Sequence, residues 1–178
     1  MQTVTIVCTK LHELQECFIS SLISPSFSTG DLGQDIDYFL TVLQTQEMTE
    51  VLNFLNSRTT FRYTGIFRWE GEMVRTICLF DRNGEKVPSS PTGRLDDTFC
   101  QFVTETSNFI TTESANDERL MKFKNRGAMD SYVGLPLLRE PGDIYGTLCH
   151  FDPEARLISD SEVLFLQAVA VLLMDYLE

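Results

Sequence analysis

The sequence predicts an α+β fold, in which antiparallel β-hairpins and long helices form one domain. Residues 61–84 and 132–151 each contain two strand-like segments joined by residues typical of a tight turn. Residues 35–56 repeat apolar side chains at helical spacing, and residues 160–178 form a long apolar segment behind a polar cap. Hairpins and helices in this mixed order favour an antiparallel sheet covered by helices.

The composition excludes several classes of function. The chain has 178 residues, of which 43% are hydrophobic and 22% charged, as expected of a globular protein with one domain and some additional structure. Its formal net charge of −12 repels phosphate backbones and anionic lipid head groups. We therefore expect neither nucleic acid nor a membrane surface as the main partner, although an anionic small molecule remains compatible with a local positive field.

The cysteine pattern indicates a reducing compartment. The five cysteines are odd in number, widely spaced and without the C-x-x-C spacing of metal or redox sites. We expect reduced thiols that act mainly as small core residues, and no metal site. The N-terminus lacks the pattern of a signal peptide, and no apolar run approaches the ~20 residues that span a bilayer. The protein is therefore expected in the cytoplasm.

The N-terminal part is predicted to be an extension of the main domain. Residues 11–23 have helical apolar spacing, and the Ser-, Pro- and Gly-rich residues 24–33 are typical of a linker. The predicted division is an extension over residues 1–33, with one helix and the linker, followed by a domain over residues 34–178. The domain would begin with a single helix over residues 35–56.

The middle of the chain alternates strands with polar connections. The first strand is expected to end at Glu70-Gly71 and its partner at Asn83-Gly84, a turn dipeptide. A polar loop then leads to a helix predicted over residues 96–107, with Asp96, Asp97 or Thr98 as N-cap. A short strand over residues 108–113 and a short helix over residues 114–130, ending near Gly127, complete this part.

The second hairpin is the most informative segment. Strands are predicted over Tyr132–Leu138 and Tyr145–Phe151, joined through Pro141 and Gly142. Each strand has a glycine near its start, Gly134 or Gly146. A glycine inside a strand often marks a place where another group approaches the backbone closely.

The last helix is predicted to begin at Ser159 or Asp160, with Glu162 placed for a capping box. Its apolar residues surround the helix, which indicates burial on every side and requires a second partner, either a neighbouring helix or a symmetry mate. Because the sequence stops inside this helical pattern, we expect the natural chain to continue beyond Glu178.

The hairpin and the last helix resemble GAF domains of bacterial sensor kinases and diguanylate cyclases. The resemblance is strongest at YVGLPL (132–137), at YGTLC (145–149) with Phe151-Asp152, and over residues 160–166, and the order of elements matches from residue 35 to 178. It implies a central antiparallel sheet of about six strands. The long N- and C-terminal helices would cover one face, and loops and short helices would cover a ligand cavity on the other.

The same resemblance implies a regulatory small-molecule-binding domain that is not itself an enzyme. A cyclic nucleotide, cAMP or cGMP, is the best single expectation for the ligand, and the signal would pass through terminal helices in a homodimer. A covalent bilin is not expected, because the segment ERLMKFKNRGAM lacks the Cys-His pair of bilin-binding members. Two alternatives remain, a ligand-free dimerisation module and a thiol-redox enzyme that uses Cys100.

Candidate ligand-binding residues fall into two groups. The predicted helix start could anchor a phosphate or carboxylate through free N–H groups, with Arg94 adding positive charge. Aromatic faces could stack a planar ring, and Arg119 could pair with an anion. The alternative for each is a capping, solvated or core role, and for Cys100 an apolar setting that raises the thiol pKa. The candidates are Phe80, Arg94, Asp97, Thr98, Phe99, Cys100, Asp117, Arg119 and Tyr132.

Overall fold

The computed structural model describes residues 29–85 and 93–177 and contains three α-helices and six strands over that part of the chain. The helix predicted over residues 11–23 lies outside the described residues, as does the linker up to residue 28. None of the described helices is both long and apolar enough to cross a membrane. The helices are α1 (Thr29–Thr45), α2 (Met48–Ser57) and α3 (Asp160–Leu173). The strands are β1 (Tyr63–Glu70), β2 (Met73–Asp81), β3 (Gly93–Arg94), β4 (Phe109–Thr111), β5 (Ser131–Glu140) and β6 (Asp143–Asp152).

The strands form one antiparallel sheet in the order β3-β2-β1-β6-β5-β4, which confirms the predicted α+β fold. Both predicted hairpins are present. Gly71 between β1 and β2 and Gly142 between β5 and β6 have φ of 64° and 89°, the left-handed region that glycine enters at little cost. The two hairpins meet through β1 and β6, where Tyr63 lies opposite Phe151.

The first helical segment differs from its prediction in two ways. The single helix expected over residues 35–56 is wrong, because the chain breaks at Glu47, whose backbone is extended, and a new helix begins at Met48. In addition, α1 begins at Thr29, within the predicted linker. The break lets the two helices take different partners. α2 packs on β1 and β2, while Phe39 of α1 meets the ring of Phe165 in α3.

The helix predicted over residues 96–107 is also wrong. The chain forms two short 3₁₀ turns, Leu95–Asp97 and Phe99–Phe102, separated by the extended residue Thr98. The turns direct Phe99 and Cys100 into the interior, where both are buried. Just before them, Gly93–Arg94 pairs with β2 as a strand that the sequence did not predict.

The short helix predicted over residues 114–130 is reduced to one 3₁₀ turn, Glu118–Leu120, followed by further turns. Gly127 has φ of 80°, but it lies among turns and not at the end of a helix as predicted. Asp117 caps the 3₁₀ turn through its carboxylate, which accepts the backbone N–H of Arg119 at 3.0 Å. This segment therefore follows an irregular path that side-chain contacts hold in place.

The two faces of the sheet are covered by different material. On one face, Asn56 of α2 donates to Thr64 of β1 at 2.9 Å, and Thr64 contacts the buried His150 of β6 at 2.7 Å. α3 packs mainly on β5. The opposite face is covered by the turns between β3 and β5, and it carries the groups described next.

Candidate functional site

An aromatic–thiol cluster covers the sheet face opposite the helices. The ring of Phe99 stacks on Tyr132 at 5.2 Å between centroids and meets Phe123 edge-on at 4.9 Å. These contacts fill the region where the resemblance to GAF domains implies a ligand cavity. The cluster consists of the buried residues Phe99, Cys100, Val103, Phe109, Leu120, Phe123, Tyr132 and Cys149.

Polar groups lie at the centre of this cluster. The Sγ atoms of Cys100 and Cys149 are 4.0 Å apart. The Tyr132 hydroxyl lies 2.9 Å from Cys149 Sγ and 3.5 Å from Cys100 Sγ, and the Thr147 hydroxyl donates to Cys100 Sγ at 3.1 Å. The two thiols thus share hydroxyl partners although both are buried.

These contacts correct the expectation for Cys100. Cys100 is buried in the core cluster, as the alternative to a ligand role expects, but hydrogen bonds from Cys149, Thr147 and Tyr132 lower the pKa of its thiol where burial alone would raise it. Burial instead raises the pKa of Cys149. Hydrogen bonding thus favours the thiolate form of Cys100, whereas burial favours the protonated form of Cys149.

The glycines of the second hairpin are approached closely, but by the protein itself. A Cβ on Gly134 would lie 2.5 Å from the Tyr132 hydroxyl and 2.7 Å from Val103 Cγ2. A Cβ on Gly146 would collide with the β1 backbone at Phe67 and lie 2.9 Å from Arg68 Cα. The first glycine makes room for the Tyr132 ring, and the second allows β1 and β6 to approach each other.

A charged pocket lies on the outside of the cluster. It has a volume of about 420 Å³ and opens to solvent. Phe102 and Phe123 belong to its lining, and both also contact the aromatic–thiol cluster. The pocket lining and the packing of the cluster therefore share these two rings. Its lining residues are Arg94, Asp96, Asp97, Gln101, Phe102, Arg119, Lys122, Phe123 and Lys124.

The lining of the pocket has more cationic than anionic side chains. Four of its lining side chains are cationic and two are carboxylates, within a chain whose net charge is −12. Arg94 forms a two-pronged pair with Asp96, both N···O distances being 2.9 Å, and Lys124 pairs with Asp97. The Arg94 guanidinium lowers the pKa of Asp96, so this carboxylate stays ionised. Arg94 also lies 3.5 Å from Glu72, and Arg119 pairs with Asp117, so four carboxylates lie around the four lining cations. An anion that binds here must compete with these ion pairs.

Arg119 is held at the pocket by several contacts. Its guanidinium donates to Asp117 at 2.6 Å and 3.0 Å and to the Ile110 carbonyl at 2.6 Å. It also lies 4.6 Å from the centroid of the Phe109 ring. The same ion pair lowers the pKa of Asp117 to about 2. Arg119 is therefore positioned before any ligand arrives, which reduces the entropic cost of binding.

The structure divides the predicted site residues among four places. The residues Arg94, Asp97 and Arg119 line the charged pocket, with Asp117 beside it. The residues Phe99, Cys100 and Tyr132 belong to the aromatic–thiol cluster. Thr98 does not cap an α-helix, and its hydroxyl donates to the Leu95 carbonyl at 3.0 Å.

Phe80 lies on the opposite side of the sheet. It pairs with Thr64, whose side chain contacts Asn56 of α2, and paired residues of antiparallel strands share a face. Phe80 therefore faces the helices and does not join the pocket.

Sequence reasoning missed part of the pocket lining. Lys122 and Lys124 flank Phe123, so that one cation lies on each side of an apolar ring in the sequence. This alternation could have indicated a ligand-binding segment. Because residues 114–130 were interpreted as a helix, it was not used. The missed residues are Asp96, Gln101, Phe102, Lys122, Phe123 and Lys124.

Comparison with solved structures identifies the class of fold. No protein-family model and no curated protein matches the sequence. The GAF domain of an Acinetobacter phosphoenolpyruvate-protein phosphotransferase is similar in structure, with a TM-score of 0.65 at 12% identity, over 84% of this chain and 93% of that one. The chromophore-binding domain of Stigmatella aurantiaca phytochrome P1 has a TM-score of 0.67 at 8% identity, over 88% of this chain and 63% of that one.

A third similar structure is a type II free methionine-R-sulfoxide reductase from Thermoplasma acidophilum. It has a TM-score of 0.55 at 14% identity, over 72% of this chain and 87% of that one. Sheet, helices and comparisons together define an α+β domain with loops over one sheet face. The chain has the GAF fold, as the second hairpin and the last helix predicted.

Proposed function

We propose that this domain is a regulatory sensor that binds a small anionic molecule in the charged pocket. The carrying observation is that four cationic side chains and two aromatic rings line one pocket, in a chain whose net charge is strongly negative. The GAF domains and phytochrome domains of similar fold support a role in regulation. In this proposal the domain works in the cytoplasm and catalyses no reaction itself.

A cyclic nucleotide, cAMP or cGMP, is the specific ligand that we propose to test. Its phosphate would interact with Arg94, Lys122 and Lys124, and its planar base could contact the rings of Phe102 and Phe123. Because Arg94 and Lys124 already pair with carboxylates, the ligand phosphate would compete with Asp96 and Asp97. We therefore expect modest affinity and specificity that depends on the base.

Isothermal titration of the protein with cAMP, cGMP, c-di-GMP and a simple oxoacid tests this proposal. We expect saturable binding of at least one nucleotide and weaker binding by Lys122→Gln. The charge-matched control Arg75→Gln lies on β2, outside the pocket lining, and should bind like the unmodified protein. No heat and no thermal stabilisation with any of these anions at millimolar concentration would refute the proposal.

A ligand-free dimerisation module is the second candidate. The filled aromatic–thiol cluster favours it, because that region of the sheet is occupied by side chains. This candidate predicts a dimer in sedimentation that is not stabilised by any of the same ligands. A monomer at high concentration would argue against it and against transmission through a dimer.

A thiol-redox enzyme using Cys100 is the third candidate. The lowered pKa of Cys100 and the fold of the Thermoplasma reductase support testing it. Turnover of free methionine sulfoxide with a dithiol reductant, lost in Cys100→Ser, would establish this activity. Absence of turnover leaves the sensor and the dimerisation module as the two candidates.

A further inference from the structure

Cys100 and Cys149 form an unusual pair among the described cysteines. Their Sγ atoms are 4.0 Å apart, although one lies in the 3₁₀ turn Phe99–Phe102 and the other in β6. Cys78, the other described cysteine, is partly exposed and lies near Thr49 of α2, on the far side of the sheet. The pair is therefore built by tertiary contacts between segments distant in sequence.

The surroundings of the pair favour chemistry at sulfur. The hydroxyls of Thr147 and Tyr132 reach Cys100 Sγ at 3.1 Å and 3.5 Å, within a cluster that is otherwise aromatic and aliphatic. Hydrogen bonds donated to sulfur stabilise the thiolate, the nucleophilic form of cysteine. The two buried sulfurs are the hydrogen-bond partners of these hydroxyls at the centre of the cluster.

We propose that Cys100 and Cys149 are a peroxide-responsive dithiol that closes to a disulfide. The Cys100 thiolate attacks hydrogen peroxide, so that an S–O bond forms, the O–O bond breaks and the departing hydroxide takes up a proton to become water. Cys149 Sγ then attacks the sulfenic sulfur, the S–S bond forms, and the hydroxyl leaves as water with the thiol proton of Cys149. Two thiols are oxidised by two electrons, and one peroxide is reduced to two waters.

Formation of the disulfide changes the packing around Cys100 and Cys149. The sulfurs must approach from 4.0 Å to the ~2.05 Å of a disulfide, and the new bond ties the turn Phe99–Phe102 to β6. Gln101 and Phe102, which follow Cys100, line the charged pocket. Oxidation should therefore alter ligand affinity, an additional consequence that rests on the proposed function.

The test uses the full chain with Cys8, Cys17 and Cys78 replaced by serine, so that only the pair remains. After hydrogen peroxide treatment, we expect the intact mass to fall by two hydrogen atoms. Trypsin should then release residues 95–119 linked to residues 140–156. Circular dichroism before treatment checks that the variant is folded. A folded variant that forms no such link, or whose linked species are only dimers between chains, would overturn the proposal.

Further variants assign the roles of the two thiols. In Cys149→Ser, dimedone should trap a sulfenic acid on Cys100, whereas Cys100→Ser should consume peroxide several-fold more slowly. Tyr132→Phe keeps the ring but removes the hydroxyl, and should also slow disulfide formation several-fold. Equal rates in all variants would contradict the assigned roles. The mass measurement does not involve the pocket, so failure of nucleotide binding leaves this test intact.

Discussion

At the residue scale, Gly134 and Gly146 show how one missing Cβ atom shapes the sheet. Gly134 lies beneath the ring of Tyr132, whose hydroxyl contacts the thiols, and Gly146 lies against the backbone of β1. The sequence indicated close approach at both positions. It could not indicate that the approaching group belongs to the protein, because the ring and the neighbouring strand reach these positions only in the folded chain.

We expect Gly134→Ala to destabilise the domain by about 1–3 kcal/mol, because the new methyl overpacks against the buried Tyr132 and Val103. Chemical denaturation measures the change. Gly93→Ala is the matched control, since no atom lies within 4 Å of its added Cβ. Equal stability of the two variants would contradict the packing explanation.

His150 links stability to pH. It is fully buried, and burial, together with the charge of Arg82, lowers its pKa to about 3. In the unfolded chain the pKa is about 6.5, so between these values the unfolded state binds the extra proton. The contribution of His150 to folding is therefore complete above about pH 6.5 and is lost as the pH falls, by about 1.4 kcal/mol for each pH unit.

In His150→Asn, we expect the free energy of unfolding to fall less steeply between pH 6.5 and pH 4.5 than in the unmodified protein. Asparagine does not titrate and can still accept a hydrogen bond from Thr64. Urea denaturation across this range measures the slope. The pH dependence of the unfolding free energy is compared between the variant and the unmodified protein. Burial also raises the pKa of Glu162, but Glu162 is present in both proteins, so the difference between the two slopes reports His150. Identical slopes would show that His150 does not carry this dependence.

At the element scale, Arg58 joins all three described α-helices. It follows α2 and donates to Glu162 of α3 at 3.0 Å and 3.1 Å through Nε, and to Asp35 of α1 at 2.8 Å through Nη2. Its guanidinium also lies 3.9 Å from the centroid of the Phe165 ring. Ser159 caps α3 as predicted, but Glu162 uses its carboxylate for Arg58, so the sequence showed the cap and not the ion pair.

Replacing Arg58 by methionine should cost about 2–4 kcal/mol, because it leaves the Glu162 carboxylate buried without its partner. The double variant Arg58→Met/Glu162→Gln should recover part of this loss, since the uncompensated charge is removed. Urea denaturation of the single and double variants completes the cycle. A double variant less stable than Arg58→Met would show that the charge itself is not the main cost.

Irregular elements were predicted less well than regular ones. The helix over residues 96–107 was predicted from its possible N-caps and the single helix over residues 35–56 from its apolar spacing, yet neither forms as predicted. The spacing of apolar residues predicts which side chains become buried, but it does not predict which element they pack against. Phe99 and Cys100 are buried in a 3₁₀ turn that packs onto Tyr132, not in the predicted helix.

At the scale of the whole molecule, the side of α3 away from the sheet raises the question of a partner. Val163, Leu164 and Val171 are only partly buried within the chain, while Phe165, Leu166 and Val169 are fully buried. The homodimer proposed above would place a second copy over these partly exposed residues.

Leu164→Glu should therefore shift the protein from dimer to monomer in analytical ultracentrifugation, because a buried carboxylate opposes association. The matched control is Leu157→Glu. Leu157 is 81% exposed and precedes α3, so this variant should keep the same oligomeric state. If both variants and the unmodified protein sediment as monomers, the dimer is excluded.

The sequence by itself determined the α+β class, both hairpins and their turns, and the cap of α3, because these depend on local backbone geometry and on period. The GAF fold was predicted only by the resemblance of the second hairpin and the last helix to GAF domains. Only the tertiary structure decided that Arg94, Asp97 and Arg119 share a pocket, and that Phe80 lies on the other face. It also decided that the pair Cys100–Cys149 is surrounded by hydroxyls. These arrangements depend on strand register and on contacts between distant segments, which local patterns do not contain.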